Sequence, residues 1–213
     1  MFIKNEIKKK ITHLIWENNS TLVQLLGLCP VLAITTNFVN SISLGIATTI
    51  VLIFTNFFIA LFKKYIPYSI RIPIYIIVIS SVVSIIDMLV HAYLFNLYSS
   101  LGVFIPLIVT NCIVVSRAEL IASRYSILYS CMDGFFTGIG LTVSMIILGS
   151  IREIIGHGTL FYGMNFLFHF LKKSNYIEFF KIDYSMLMVC FPAGAFMILA
   201  FIIVFKSIFS KKF

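Results

Sequence analysis

The sequence predicts an all-α membrane protein, with six transmembrane helices in two inverted three-helix repeats, each repeat opening on a short or broken helix. Three observations lead there. Hydrophobic residues make up 60% of the 213 and charged residues only 11%, with a mean hydropathy of +1.04, so polar material is too scarce to cover a soluble globule of this size. The apolar runs are continuous and end in Gly, Pro or short basic clusters, whereas the strands of a transmembrane barrel would alternate polar and apolar residues. Short, proline-interrupted segments also recur at matching places in the two halves. Three spans in the first half start the second on the opposite side of the membrane, so any repeat is inverted.

Residues 1–20 read as a cytoplasmic amphipathic segment. Ile3, Ile7, Ile11, Leu14 and Ile15 recur at helical spacing up to Trp16, the pattern of a helix lying in the interface. The apolar patch after Lys8, Lys9 and Lys10 is too short for a cleavable signal, and Glu17, Asn18 and Asn19 interrupt it. Six candidate spans follow, at 21–38, 41–62, 72–90, 101–115, 131–151 and 186–205. The first three form a repeat over 21–95 and the last three a repeat over 96–206, with an outer loop at 152–185 and a basic tail at 207–213.

The net charge of +8 is not a nucleic-acid footprint, because no basic patch is interleaved with aromatics and the cations cluster at segment ends. It reads as topology. Lys4, Lys8, Lys9, Lys10, Lys63, Lys64, Arg71, Arg117, Arg124, Lys206, Lys211 and Lys212 fall on one side, and the short loops 39–40 and 91–100 hold no Lys or Arg. The positive-inside rule places both termini in the cytoplasm. Loop 152–185 runs against the rule with Arg152, Lys172, Lys173 and Lys181, accompanied by Glu153, Glu178 and Asp183. Internal similarity is weak but present: Pro30 and Pro106 each precede a Thr-Asn pair, Thr36-Asn37 and Thr110-Asn111. Each half then offers a small-residue helix, with Gly45, Ala47, Thr48 and Thr49 in one and Gly138, Gly140, Thr142 and Ser144 in the other. Small residues on a membrane helix serve close packing, the reading adopted for Leu44 to Thr49.

Four cysteines without a CxxC pair give no disulfide framework. Cys29 and Cys112 each lie in an apolar segment near a proline. A thiolate is a metal ligand and a thiol is a small hydrophobe, and both readings stand at this stage. At a rise of about 1.5 Å per residue, Cys29 is roughly 12 Å deep from one face and Cys112 roughly 17 Å deep from the other. Together these depths equal about one hydrocarbon thickness of ~30 Å, which brings both sulfurs to one level near the midplane. A [2Fe–2S] cluster takes four protein ligands. Cys131, at the inner end of the fifth span, and Cys190, near the outer end of the sixth, cannot reach that level, so any cluster draws its other half from a partner chain.

Other polar groups carry less. Asp87, four residues before His91 near the outer end of the third span, is either a functional intramembrane carboxylate or one that snorkels or bonds to His91. Arg152 and Glu153 are adjacent, point to different sides of a helix and read as anchors of the outer interface. His157, between Gly156 and Gly158, marks a turn with no second ligand at metal spacing. No nucleophile triad, Walker loop, dinucleotide fingerprint or paired catalytic carboxylates appears.

Five segments in one order, Leu22 to Pro30 (LVQLLGLCP), Gly45 to Thr49 (GIATT), Arg71 to Tyr75 (RIPIY), Leu101 to Cys112 (LGVFIPLIVTNC) and Gly149 to Gly156 (GSIREIIG), resemble the E-type subunit family (RnfE/RsxE) of the Rnf ion-translocating electron transport complexes. That family is similar to the D-type subunit (NqrD) of the sodium-translocating NADH:quinone reductase. The resemblance runs from about Trp16 to Phe161, with a looser stretch around Pro192 to Phe196. It implies that Cys29 and Cys112 bind an iron centre, [2Fe–2S] or another, shared with the homologous A-type subunit of opposite topology. It also implies further partners, the B-, C-, D- and G-type subunits of the Rnf complex, a place in a bacterial inner membrane, and a translocase role without independent catalysis. Flavins belong to those other subunits, and no flavin-attachment motif matches here. The position of Asp87 is commonly an amide in the family and that of His157 commonly Asn, which weakens any mechanism resting on those two side chains. Two other classes share the architecture: a secondary transporter, which would show ionisable groups at the midplane where this chain offers sulfur, Thr and Asn, and a cofactor-free assembly scaffold, in which both cysteines would tolerate Ser or Ala.

Overall fold

Buried polar and exposed apolar side chains set the architecture, as expected of a chain whose solvent is lipid. The structure is a computed structural model that describes residues 23–35, 37–67, 70–93, 98, 102–157, 159–160, 177–178 and 191–210. The expected amphipathic segment at 1–20, Lys172, Lys173, Lys181, Cys190 and the end of the basic tail lie outside the described residues. In chain order the elements are α1 (Leu28–Ile34), α2 (Phe38–Phe62), α3 (Arg71–Tyr93), a 3-10 turn (Pro106–Ile108), α4 (Cys112–Arg117) with a π-helical turn (Ala118–Ala122), α5 (Ile127–His157) and α6 (Pro192–Ser210). Between α5 and α6, β1 (Thr159–Leu160) pairs antiparallel with β2 (Ile177–Glu178) in a two-residue ladder.

Among the described residues three helices, α2, α3 and α5, are long and apolar enough to cross a membrane, and Pro192–Ile208 in α6 is a shorter apolar helix. With 25, 23 and 31 residues, the three reach about 37, 34 and 46 Å at ~1.5 Å per residue, against a hydrocarbon core of ~30 Å. The first and fourth expected spans are not continuous helices. Among the described residues, the run 21–38 holds the seven-residue α1 and ends on the first residue of α2, and the run 101–115 resolves into the 3-10 turn and the start of the six-residue α4. Hydropathy counts apolar residues and cannot see where the backbone leaves the helix. The fifth helix runs six residues beyond the expected 151 and takes in Arg152 and Glu153, which are therefore helical and not part of an outer loop.

Along α2, Ile46, Ile50, Phe54, Phe57 and Leu61 form an exposed stripe at helical spacing, while Ser41, Ser43, Thr48, Thr55 and Asn56 are buried. A hydroxyl inside the membrane must be satisfied within the protein. Ser41, Ser43, Thr49, Thr142, Ser144 and Ser150 do so by donating to the carbonyl four residues back, at 2.7–2.9 Å. The main apolar core joins α1, α2, α3, α4 and α5 through Val31, Leu44, Leu52, Ile79, Ile113 and Leu141. A smaller cluster packs Ile59 and Tyr75 on Ala118 and Ala122.

The centre of the fold is the antiparallel pair α2 and α5. A Cβ built on Gly45 would lie 2.6 Å from Thr142 Cγ2, and one built on Gly138 would lie 2.6 Å from Thr49 Oγ1. Only hydrogen fits at either place, so the two backbones approach as closely as small residues allow. The two hydroxyls, Thr49 Oγ1 and Thr142 Oγ1, then meet at 3.3 Å. The contacts are reciprocal: Gly45 and Gly138, and Thr49 and Thr142, are each 93 residues apart. The same spacing relates the flanking contacts of Gly134 with Asn56 and of Gly149 with Ser41. The Thr-Asn pairs matched in the sequence do not share this equivalence. Asn37 precedes the long helix α2, whereas Asn111 caps the short α4.

Candidate metal centre

Cys29 is placed by a break in the backbone. Leu25 and Gly27 both have positive φ, 55° and 77°, so the chain cannot enter α1 as a continuing helix. Gly27 is the residue before α1, Cys29 lies in its first turn, and Pro30 beside it sits where its missing N–H has no helical acceptor to lose. Cys112 opens α4. The residue before it, Asn111, is extended and its Oδ1 accepts from Ile113 N at 3.2 Å, an N-cap that starts the helix at the cysteine.

The two starts meet. A Cβ on Gly27 would lie 3.3 Å from Asn111 Oδ1, 3.6 Å from Ile113 Cβ and 3.6 Å from Leu141 Cδ1. Leu141 is at the middle of α5, one residue from Thr142 and its contact with Gly45. Both cysteine-bearing helix starts therefore sit at mid-depth of the longest helix. Cys29 and Cys112 are free thiols exposed at the surface of this chain, and the neighbouring Leu25, Val103 and Leu107 are exposed as well. Among the described residues no group of three or more His, Cys, Asp or Glu is arranged to hold a metal ion. The donor set fits half of a thiolate site. A buried orphan supports the fit: Asn111 is 1% exposed, and its Nδ2 has no hydrogen-bond partner among the described residues. Sulfur held beside Cys112 would give that amide an acceptor.

Cys131, the fifth residue of α5, is half-buried toward that helix's start, and Cys190 is outside the described residues. Asp87 Oδ1 is buried without a hydrogen-bond partner among the described residues. His91 stands edge-on to the Tyr98 ring, with centroids 4.6 Å apart. His157 ends α5.

Arg152 and Glu153 correct the sequence reading: both are 0% exposed and cap helix ends, in place of anchoring the outer interface. Arg117, a loop cation by topology, is 7% exposed and pairs with Asp133 at 3.5 Å. Sequence reasoning passes over Asp133 altogether. It also passes over Asn56, whose Nδ2 donates to Ser130 O at 3.1 Å and ties α2 to the start of α5. The one available signal is a carboxylate and an amide inside otherwise apolar spans.

Fold and composition together define a polytopic α-helical membrane protein with two exposed thiols in the first turns of α1 and α4. The chain belongs to the Rnf-Nqr family: the family model for "Rnf-Nqr subunit, membrane protein" matches residues 7–203. It is 53% identical over 202 residues to the E-type subunit of the ion-translocating oxidoreductase complex of Buchnera aphidicola subsp. Schizaphis graminum (strain Sg), covering 95% of this chain and 91% of that one. The protein of the same description from Glaesserella parasuis serovar 5 (strain SH0165) is 49% identical over 205 residues, covering 96% and 90%. That from Edwardsiella ictaluri (strain 93-146) is 46% identical over 208 residues, covering 98% and 88%.

Proposed function

We propose that this chain is the E-type membrane subunit of a bacterial ion-translocating oxidoreductase complex. In this reading Cys29 and Cys112 supply half the ligands of an iron centre, [2Fe–2S] or another, and a homologous A-type subunit of opposite topology supplies the rest. The single observation that carries the reading is the pair of exposed thiols at the meeting of two half-helices, level with the middle of α5. When bound, such a centre supplies a one-electron relay that divides a bilayer too thick for a single transfer. The chain's own part is to present two sulfurs outward at one level and to exclude water with Leu141 and Ile113 behind them. The reciprocal contacts of α2 and α5 support two inverted repeats, with α1 and α4 as the half-helices that open each full repeat. The B-, C-, D- and G-type subunits complete the assembly in the inner membrane and hold its nucleotide and flavin chemistry.

Two thiolates leave half of an iron coordination sphere open, so the chain produced alone is expected to bind iron poorly, and co-production with its homologous partner should restore stoichiometric iron. Iron and sulfide determinations on both preparations check this. Stable, stoichiometric iron in the isolated chain would sink the shared site. Orientation is tested separately. Reporter fusions at residue 66 and at the C-terminus should report cytoplasm, and one near residue 99 the outer side. An outer signal from residue 66 overturns the topology.

A further inference from the structure

We propose that the buried pair Arg152 and Glu153 positions Cys29, by fixing the far end of the half-helix that carries the thiol, and thereby tunes the metal centre. The inference rests on the metal-centre reading of Cys29 and deepens it. A helix of seven residues has no stability of its own in isolation and depends on what holds its ends. One end of α1 begins at the break at Gly27. At the other, the Arg152 guanidinium donates to Leu32 O at 3.2 Å and to Thr35 Oγ1 at 2.9 Å. Leu32 belongs to the last turn, whose carbonyls lack helical partners. A cation there also matches the negative end of the helix. Thr35 is held in turn, its hydroxyl donating to Val31 O. The second arm of the guanidinium reaches Phe191 O at 3.4 Å, just before α6.

Glu153 acts on the next element. Its Oε2 accepts from Phe38 N at 2.8 Å, the first amide of α2, which places a carboxylate at the positive end of a 25-residue helix. Two adjacent residues of α5, pointing to different sides, thus clamp the end of α1 and the start of α2. The α1–α2 corner becomes fixed to the helix whose middle touches Gly27.

The fold does not require charge at such a place. The residues 93 positions earlier, Ile59 and Ala60, are apolar and buried, and Ile59 packs on Ala118 and Ala122. The half-helix of Cys112 is tied in a different way, by its own Arg117 to Asp133. A buried guanidinium is expensive unless every donor is used. A geometric demand on Cys29 accounts for its use on one side only.

The test uses the whole complex in native membranes, with the iron signal read by paramagnetic resonance and iron affinity by chelator competition. Arg152→Gln is expected to shift the g-values and lower iron affinity by about ten- to a hundredfold, the usual cost of losing a group that orients a ligand. Arg152→Lys should recover part of both, since an ammonium reaches one acceptor where the fork reaches three. Thr35→Val, nearly isosteric, should shift the signal in the same direction, and Thr35→Ser, which keeps the hydroxyl, should restore it. Should Arg152→Gln fail to assemble, Thr35→Val alone decides. Wild-type g-values and affinity in the assembled Thr35→Val complex overturn the positioning role while the metal site stands. No iron signal in the assembled wild-type complex overturns the metal-centre reading itself.

Discussion

Cys29→Ala and Cys112→Ala are each expected to leave the complex assembled while abolishing its iron signal and electron transfer across the membrane. The two effects separate because they have different physical origins. Removing a thiol costs packing energy of about 1 kcal/mol or less at a surface position, and both side chains are exposed on this chain. Removing a ligand opens the coordination sphere, and half-occupied thiolate sites do not hold a cluster. Cys131→Ala, toward the start of α5, and Cys190→Ala should leave signal and transfer nearly intact. The measurements are iron content, paramagnetic resonance and donor-to-acceptor turnover on purified complexes of equal composition. Four variants that behave alike would remove the metal reading and leave the scaffold.

Cys29 and Cys112 stand out in the sequence because each lies in an apolar run that also holds a proline, Cys29 directly before Pro30 and Cys112 six residues after Pro106, a local pattern that survives without any structure. The Gly and Thr residues of α2 and α5 are legible for the same reason, and the close approach of Gly45 to Thr142 is what small residues on facing membrane helices permit. The half-helices are legible as short or proline-interrupted segments, but the residues at which the backbone breaks are not. The positive φ of Leu25 and Gly27 leaves hydropathy unchanged, and a leucine gives no sign of it. The charged residues are the least legible. Arg152 donates to a backbone carbonyl and a hydroxyl more than a hundred residues away in sequence, and Arg117 finds Asp133 across two helices. Adjacency tells only that Arg152 and Glu153 face apart; which helix ends they meet is fixed by the packing of α5, which no local pattern encodes. The mispaired Thr-Asn motifs have a related cause. The chain between Cys112 and α5 is longer than that between Cys29 and α2, holding the π-helical turn and the residues up to Ser126, so matching short motifs slips the repeats out of register.

Gly45→Val and Gly138→Val are each expected to remove this chain from the assembled complex, and the alanine variants to weaken it by about 1–3 kcal/mol apiece, the usual cost of overpacking a close contact. A Cβ on Gly138 meets Thr49 Oγ1, Cγ2 and Cβ at 2.6, 2.7 and 2.8 Å. No rotamer of Thr49 clears its own Cβ, so relief requires the helices to part. Parting them disturbs more than one contact. Leu141, which packs beside Gly27 at the start of α1, lies one residue from Thr142, so a shift of α5 against α2 disturbs the junction at which the starts of α1 and α4 meet. The reciprocal register gives an internal control. Thr142→Gly, which removes the opposing Cβ, should rescue Gly45→Ala but not Gly138→Ala, and Thr49→Gly should rescue Gly138→Ala but not Gly45→Ala, each with a coupling of ~1 kcal/mol. Thermal stability and the content of this chain in the solubilised complex read the cycle. Equal stability of Gly45→Ala, Gly138→Ala and wild type would mean that α2 and α5 are not held in this register, and rescue without the expected pairing would mean that the contact is not reciprocal.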